Sequence, residues 1–105
     1  MDDVFRFDLC EVRDGNWVGY VTVGTDENGI DTRVLLYNLF VKPNYRCKGI
    51  ASYLVKKAIK IAKNDYGVKE LYLWCETNLI NFYIKLGFVK TNEIKNKFTL
   101  LKINV

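Results

Sequence analysis

Val41-Lys42-Pro43-Asn44-Tyr45-Arg46-Cys47-Lys48-Gly49-Ile50-Ala51-Ser52-Tyr53-Leu54 is the stretch on which the reading of this chain turns. An apolar strand runs into Pro43, which cannot donate to a sheet ladder, and a turn of the form Arg-x-x-Gly-x-Ala then opens a helix. Backbone N–H groups at a helix start have no partner inside the helix, and the helix dipole adds partial positive charge there. Arg46 and Lys48 add whole charges, so a phosphate-bearing ligand suits the turn. Gly49 admits close approach of backbone to ligand, and Ala51 keeps the first helical turn slim. The Walker spacing Gly-x-x-x-x-Gly-Lys-Ser/Thr is absent.

Upstream, residues 4–12 alternate Phe5, Phe7 and Leu9 with Arg6 and Asp8, which is strand periodicity. Asp14-Gly15-Asn16 reads as a hairpin turn, and the β-branched and aromatic residues 17–23 form the partner strand. A polar loop over 24–29 precedes a third strand, 33–41, whose nearly unbroken apolar run predicts burial on both faces. Downstream, Ala51, Leu54, Val55, Ala58, Ile59 and Ala62 recur at helical spacing, predicting an amphipathic helix over 50–66 with Gly67 at its C-terminal end. Residues 70–75 form another apolar strand, and strand, helix, strand implies a parallel pair. Asn78 is the expected cap of a short helix over 79–86 that Gly87 stops, and 88–91 with 97–103 would close a hairpin around 92–96. The expected architecture is a single α+β domain over 1–105, a mixed and largely antiparallel sheet with one long and one short helix.

The chain of 105 residues is half hydrophobic and 14% aromatic, enough for one core without staples. Three scattered cysteines, Cys10, Cys47 and Cys75, with no Cys-x-x-Cys spacing, no signal peptide and no apolar run of membrane-spanning length, predict a reducing cytoplasm and no membrane association. With no histidine, no metal site is expected. The net charge of +4 is concentrated in Lys42, Arg46, Lys48, Lys56, Lys57, Lys60 and Lys63. Such a cluster attracts any polyphosphate, nucleic acid included, but no nucleic-acid-binding motif accompanies it. Lys56, Lys60 and Lys63 also read simply as the wet face of the helix.

The turn resembles the cofactor-binding motif of the GNAT superfamily of acetyl-CoA-dependent N-acetyltransferases, Arg/Gln-x-x-Gly-x-Gly/Ala after a strand. Asn81-Phe82-Tyr83-Ile84-Lys85-Leu86-Gly87-Phe88 resembles a second segment of that family, in the right order and a helix and a strand further on. The resemblance covers residues 17–98. It implies a sheet that splays open between the third strand and the strand at 70–75, with the pantetheine arm pairing at Phe40 and Val41. It further implies cofactor contacts at Arg46, Cys47, Lys48, Gly49, Ile50, Ala51 and Ser52, and at Asn78 and Tyr83. The implied donor is acetyl-CoA, and the implied acceptor is an amine, small molecule or protein.

Direct attack of an amine on a thioester needs a neutral amine, a stabilised carbonyl oxygen and a place for the departing thiolate. Tyr83 occupies the position whose tyrosine the resemblance makes a proton donor to that thiolate. With no histidine, Glu76 is the nearest acid to the motifs for deprotonating the amine, with Asp31 behind it. Cys47 stands at a position that is frequently Gly in the family, and would be strained there at positive φ. Cys10 and Cys75 read as small core residues without a base, which argues against a covalent intermediate. Relative to the family pattern, the opening strand and two helices are missing, so the domain reads as N-terminally truncated. The bared sheet edge favours a homodimer. The competing reading is a non-catalytic acyl-CoA binder with a regulatory or scaffolding role.

Overall fold

The computed structural model describes residues 6–25 and 32–105. The expected strand start at Val4 and Phe5, most of the 24–29 loop and Asp31 lie outside the described residues. The elements run β1 (Arg6–Arg13), β2 (Asn16–Gly24), β3 (Leu35–Val41), α1 (Ile50–Asn64), β4 (Glu70–Glu76), α2 (Ile80–Lys85), β5 (Val89–Lys95) and β6 (Phe98–Asn104). Short 3₁₀ turns at Pro43–Tyr45 and Thr77–Leu79 precede the two helices. The six strands form one sheet in the order β1-β2-β3-β4-β6-β5, antiparallel throughout except for β3 beside β4.

Local chemistry explains most of this. Asp14 and Gly15 both take positive φ, +51° and +79°, between the paired Arg13 and Asn16. This two-residue loop matches the right-handed twist of its flanking strands. On α1, Leu54, Val55, Ala58 and Ala62 are buried at helical spacing, while Lys56, Lys60 and Lys63 are exposed. That face packs on Val21, Val23, Leu36, Leu71, Leu73 and Leu101 of the sheet. Gly19 permits the closest approach: a Cβ there would stand 2.7 Å from the Phe40 carbonyl oxygen and 3.4 Å from a Leu54 methyl.

Several expectations are corrected. Among the described residues β3 is fully buried on one face only: Leu36 and Val41 are buried, whereas Leu35, Tyr37 and Phe40 are half-buried. On the second face Tyr20, stacked on Phe40 at 5.5 Å, and Trp17 are exposed. Cys10 is exposed on the edge strand, while Cys75 is buried as expected. Asn78 does not cap α2; it lies inside the 3₁₀ turn, and the cap position is Leu79, without a side-chain bond. The last hairpin turns at Asn96–Lys97, between the paired Lys95 and Phe98, because an irregularity in β5 absorbs the polar residues between Lys90 and Ile94. The long helix stops at Asn64, and Gly67 takes φ +64° just beyond it.

Candidate active site

The strand pair at the centre of the sheet barely pairs. β3 and β4 meet at one register position, Leu35 opposite Tyr72, where the Tyr72 N–H bonds the Val34 carbonyl at 3.1 Å. Beyond it the strands diverge, which is the splay expected above. On the other side of β3, the Lys42 N–H bonds the Val18 carbonyl at 2.8 Å. Antiparallel ladders alternate, so the backbone groups of Val41 point away from β2 and into the gap.

Midway along β3 lies a feature absent from the sequence reading. Tyr20 faces Phe40 and Thr22 faces Tyr37, so three steps on β3 match two on β2. One residue is thereby left without a partner, a bulge in which Asn38 takes φ +58°. Asparagine is among the few side chains that tolerate this left-handed backbone. A lone Asn in a run of large apolar residues was the available signal.

After Val41 the turn builds a concave set of amides. Cys47 at φ +62° and Gly49 at φ +80° are both left-handed, an arrangement that turns successive N–H groups inward. Gly49 is the N-cap of α1, no side chain caps the helix and no acid lies in its first turn. The first helical bond runs from the Tyr53 N–H to the Gly49 carbonyl at 3.0 Å, leaving the N–H groups of Ile50, Ala51 and Ser52 ahead of it. A Cβ on Gly49 would meet nothing within 4 Å, so in the empty turn its necessity is conformational rather than steric.

Between turn, strand and α2 lies a cleft of about 410 Å³. It brings together Phe40, Val41, Arg46, Cys47 and Gly49 with Ile50, Ala51, Ser52 and Tyr83, all singled out in the sequence. Leu39, Tyr45, Leu79 and Phe82 complete the wall and were not foreseen. Lys48, Asn78 and Glu76 are not on it. Lys48 is exposed on the turn, and Glu76 ends β4 with its carboxylate 3.9 Å from the Lys97 ammonium. Arg46 is also turned differently from a free phosphate-reading arm. Its Nε–H bonds the Val41 carbonyl at 2.9 Å and its guanidinium lies 5.6 Å from the centre of the Phe40 ring.

Tyr83 is 6% exposed, wedged edge-on between Phe82 at 5.0 Å and Phe88 at 5.7 Å. Burial, with the neighbouring Cys75 thiol adding to it, pushes its phenol up to about 12. Burial also raises the Cys75 thiol. Both groups therefore stay protonated at neutral pH. Among the described residues no cluster of His, Cys, Asp or Glu is arranged to hold a metal ion, and no helix is long and apolar enough to cross a membrane.

The sequence model of the acetyltransferase (GNAT) family matches residues 4–88. An uncharacterised N-acetyltransferase of Methanocaldococcus jannaschii is 33% identical over 101 residues, covering 91% of this chain and 44% of the relative. An N-alpha-acetyltransferase of Saccharolobus solfataricus is 36% identical over 66 residues, 58% of this chain and 38% of its own. The chain thus spans less than half the length of these curated relatives. Among solved structures, a PaiA N-acetyltransferase of Thermoplasma acidophilum in complex with coenzyme A superimposes with a TM-score of 0.79. At 23% identity, over 95% of this chain and 61% of that one, the likeness is one of fold.

Proposed function

The chain belongs to the acetyltransferase (GNAT) family, and from that premise we propose that it transfers an acetyl group from acetyl-CoA to a primary amine by direct attack in a ternary complex. The observation that carries this reading is the continuity of the cleft. Inward amides at Cys47–Ser52 meet a diphosphate, the Val41 backbone meets an amide of the arm, and Tyr83 lies on the same wall. The bulge at Asn38 breaks the regular ladder next to Leu39 on that wall, and in this reading a backbone N–H there donates to the thioester oxygen as charge builds on it. The amine nitrogen bonds the acetyl carbon, the carbon–sulfur bond breaks, and the proton lost by the amine ends on the coenzyme sulfur.

Tyr83 acts as a hydrogen-bond donor to that sulfur rather than as a full acid. Its phenol, pushed up to about 12, lies above an ordinary thiol near 8.5. Complete transfer would be uphill by about 5 kcal/mol at ~1.4 kcal/mol per pKa unit. Donation without transfer still stabilises the departing thiolate. Glu76, at the end of β4 and off the cleft wall, assists deprotonation of the incoming amine in this reading only through bridging water.

The test is thiol release from acetyl-CoA across a panel of amines. Tyr83→Phe is expected to lower kcat about 10- to 100-fold, the worth of a hydrogen bond to a charged group, with little change in coenzyme affinity. If affinity falls as far as kcat, Tyr83 only packs the helix. The rate should climb with pH toward the acceptor's own value near 10.4 without a falling limb below about 11, since Tyr83 keeps its proton until about 12. One observation favours a second reading, a non-catalytic acyl-CoA binder. Among the described residues the cleft wall carries no carboxylate and no imidazole. That binder would be heat-stabilised by coenzyme A and release no thiol with any amine.

A further inference from the structure

We propose that Arg46 is a positioning residue. Its Nε–H, held on the Val41 carbonyl, sets the spacing between the anion-holding turn and the strand edge that pairs with the carrier arm, and its charge is secondary. The inference rests on the coenzyme A reading above and goes beyond it by assigning what this side chain does.

The geometry separates two halves of one site. One half is the amide cradle after Arg46, the other the gap-facing edge of β3 ending at Val41. The chain between them makes only a short 3₁₀ turn, in which the Arg46 N–H reaches the Pro43 carbonyl at a long 3.3 Å. The side-chain bond from Arg46 Nε to the Val41 oxygen is shorter, 2.9 Å, and joins the two halves directly. Packing of the guanidinium on the Phe40 ring at 5.6 Å holds it in that pose. Beyond Arg46 the backbone passes through two left-handed residues, Cys47 and Gly49, whose conformation the tether steadies from its near end. A ligand that touches both halves feels their spacing; a ligand that touches one does not.

Covalent chemistry supplies the discriminating variants. The amide nitrogen of Gln lies the same number of bonds from Cα as Arg Nε, so Arg46→Gln rebuilds the bond without the charge. Arg46→Lys keeps the charge and puts a methylene where the Nε–H stood. Arg46→Met keeps only the packing on Phe40. Arg46 is exposed, so each variant should fold, and a melting curve of each checks this.

The measurement is calorimetric titration of coenzyme A, with pantetheine followed by NMR shifts as the one-half ligand. Arg46→Gln is expected to hold coenzyme A within about threefold of the parent, and Lys and Met about tenfold or more weaker, the worth of one charge-assisted hydrogen bond. Pantetheine should move less than about threefold in all. A Lys variant that matches the parent while Gln falls tenfold makes Arg46 a simple charge and overturns the proposal. Equal loss of pantetheine affinity in Lys and Met overturns it as well, because the defect is then local to the strand. Should the parent chain bind no coenzyme A, the function proposed above fails first and this inference with it. Should Lys alone prove destabilised, Gln against Met decides the same question.

Discussion

At φ +62°, Cys47 holds a side chain in a backbone region that costs about 1–2 kcal/mol for any residue bearing a Cβ. Glycine at this position removes that strain and gives back part of the gain, about 0.5–1 kcal/mol, through the entropy of the unfolded chain. Cys47→Gly should therefore raise the melting temperature by a few degrees, at about 4–8 °C per kcal/mol for a domain of this size, and should not weaken coenzyme binding. A lowered melting temperature would mean that the thiol makes compensating contacts. The strained residue sits in the turn proposed above to hold the coenzyme diphosphate, and on that reading the strain follows from site geometry rather than from packing. Gly49, two residues on, achieves the same left-handed turn at no such cost.

At the scale of elements, β2, β3 and α1 are locked together where Gly19 lies under the helix. Gly19→Ala would place a Cβ 2.7 Å from the Phe40 carbonyl oxygen and 3.3 Å from a Val41 methyl, contacts with a backbone atom and a buried side chain that cannot swing away. A loss of about 1–3 kcal/mol in denaturant melts is expected, the usual cost of overpacking. Coenzyme affinity should fall with it, because Phe40 and Val41 are the residues displaced. How much was readable beforehand divides along physical lines. The Asp14-Gly15 turn, the apolar stripe of α1 and the parallel β3–α1–β4 unit follow from local backbone preference and spacing, and each is where the pattern puts it. The one-sided burial of β3 was not readable, since an apolar run says what a strand tolerates and not what covers it. Neither was the bulge, which is a mismatch between two strands and belongs to no single residue. In the site, most of the motif positions line one cleft and Lys48 and Asn78 do not, while the pose of Arg46 and the remoteness of Glu76 from the wall depend on side-chain rotamers that spacing does not encode.

Seen whole, the sheet is two three-stranded halves, β1-β2-β3 and β4-β6-β5, joined by α1 and by a ladder one register pair wide. Each half is paired antiparallel inside it, with irregularities at the Asn38 bulge and in β5, whereas along the gap the Val41 carbonyl accepts from the Arg46 side chain rather than from β4. Amide exchange followed by NMR should show the Tyr72 N–H, bonded across the narrow join, slow in the free protein, and the Val41 N–H fast. Coenzyme A should slow Val41 markedly by supplying the partner the diverging strands lack. Equal exchange at Val41 with and without coenzyme A would mean that the arm does not lie along β3. The extra residue in β3 carries a consequence of its own. Leu36, Leu39 and Val41 contribute to one apolar core although Asn38 intervenes out of step with them. Excising Asn38 would restore a plain two-residue rhythm with every neighbour still on its own side. Shortening the chain by that single link should thus yield a protein that melts as the parent does but has lost the thiol release proposed above, so that one deletion parts architecture from catalysis.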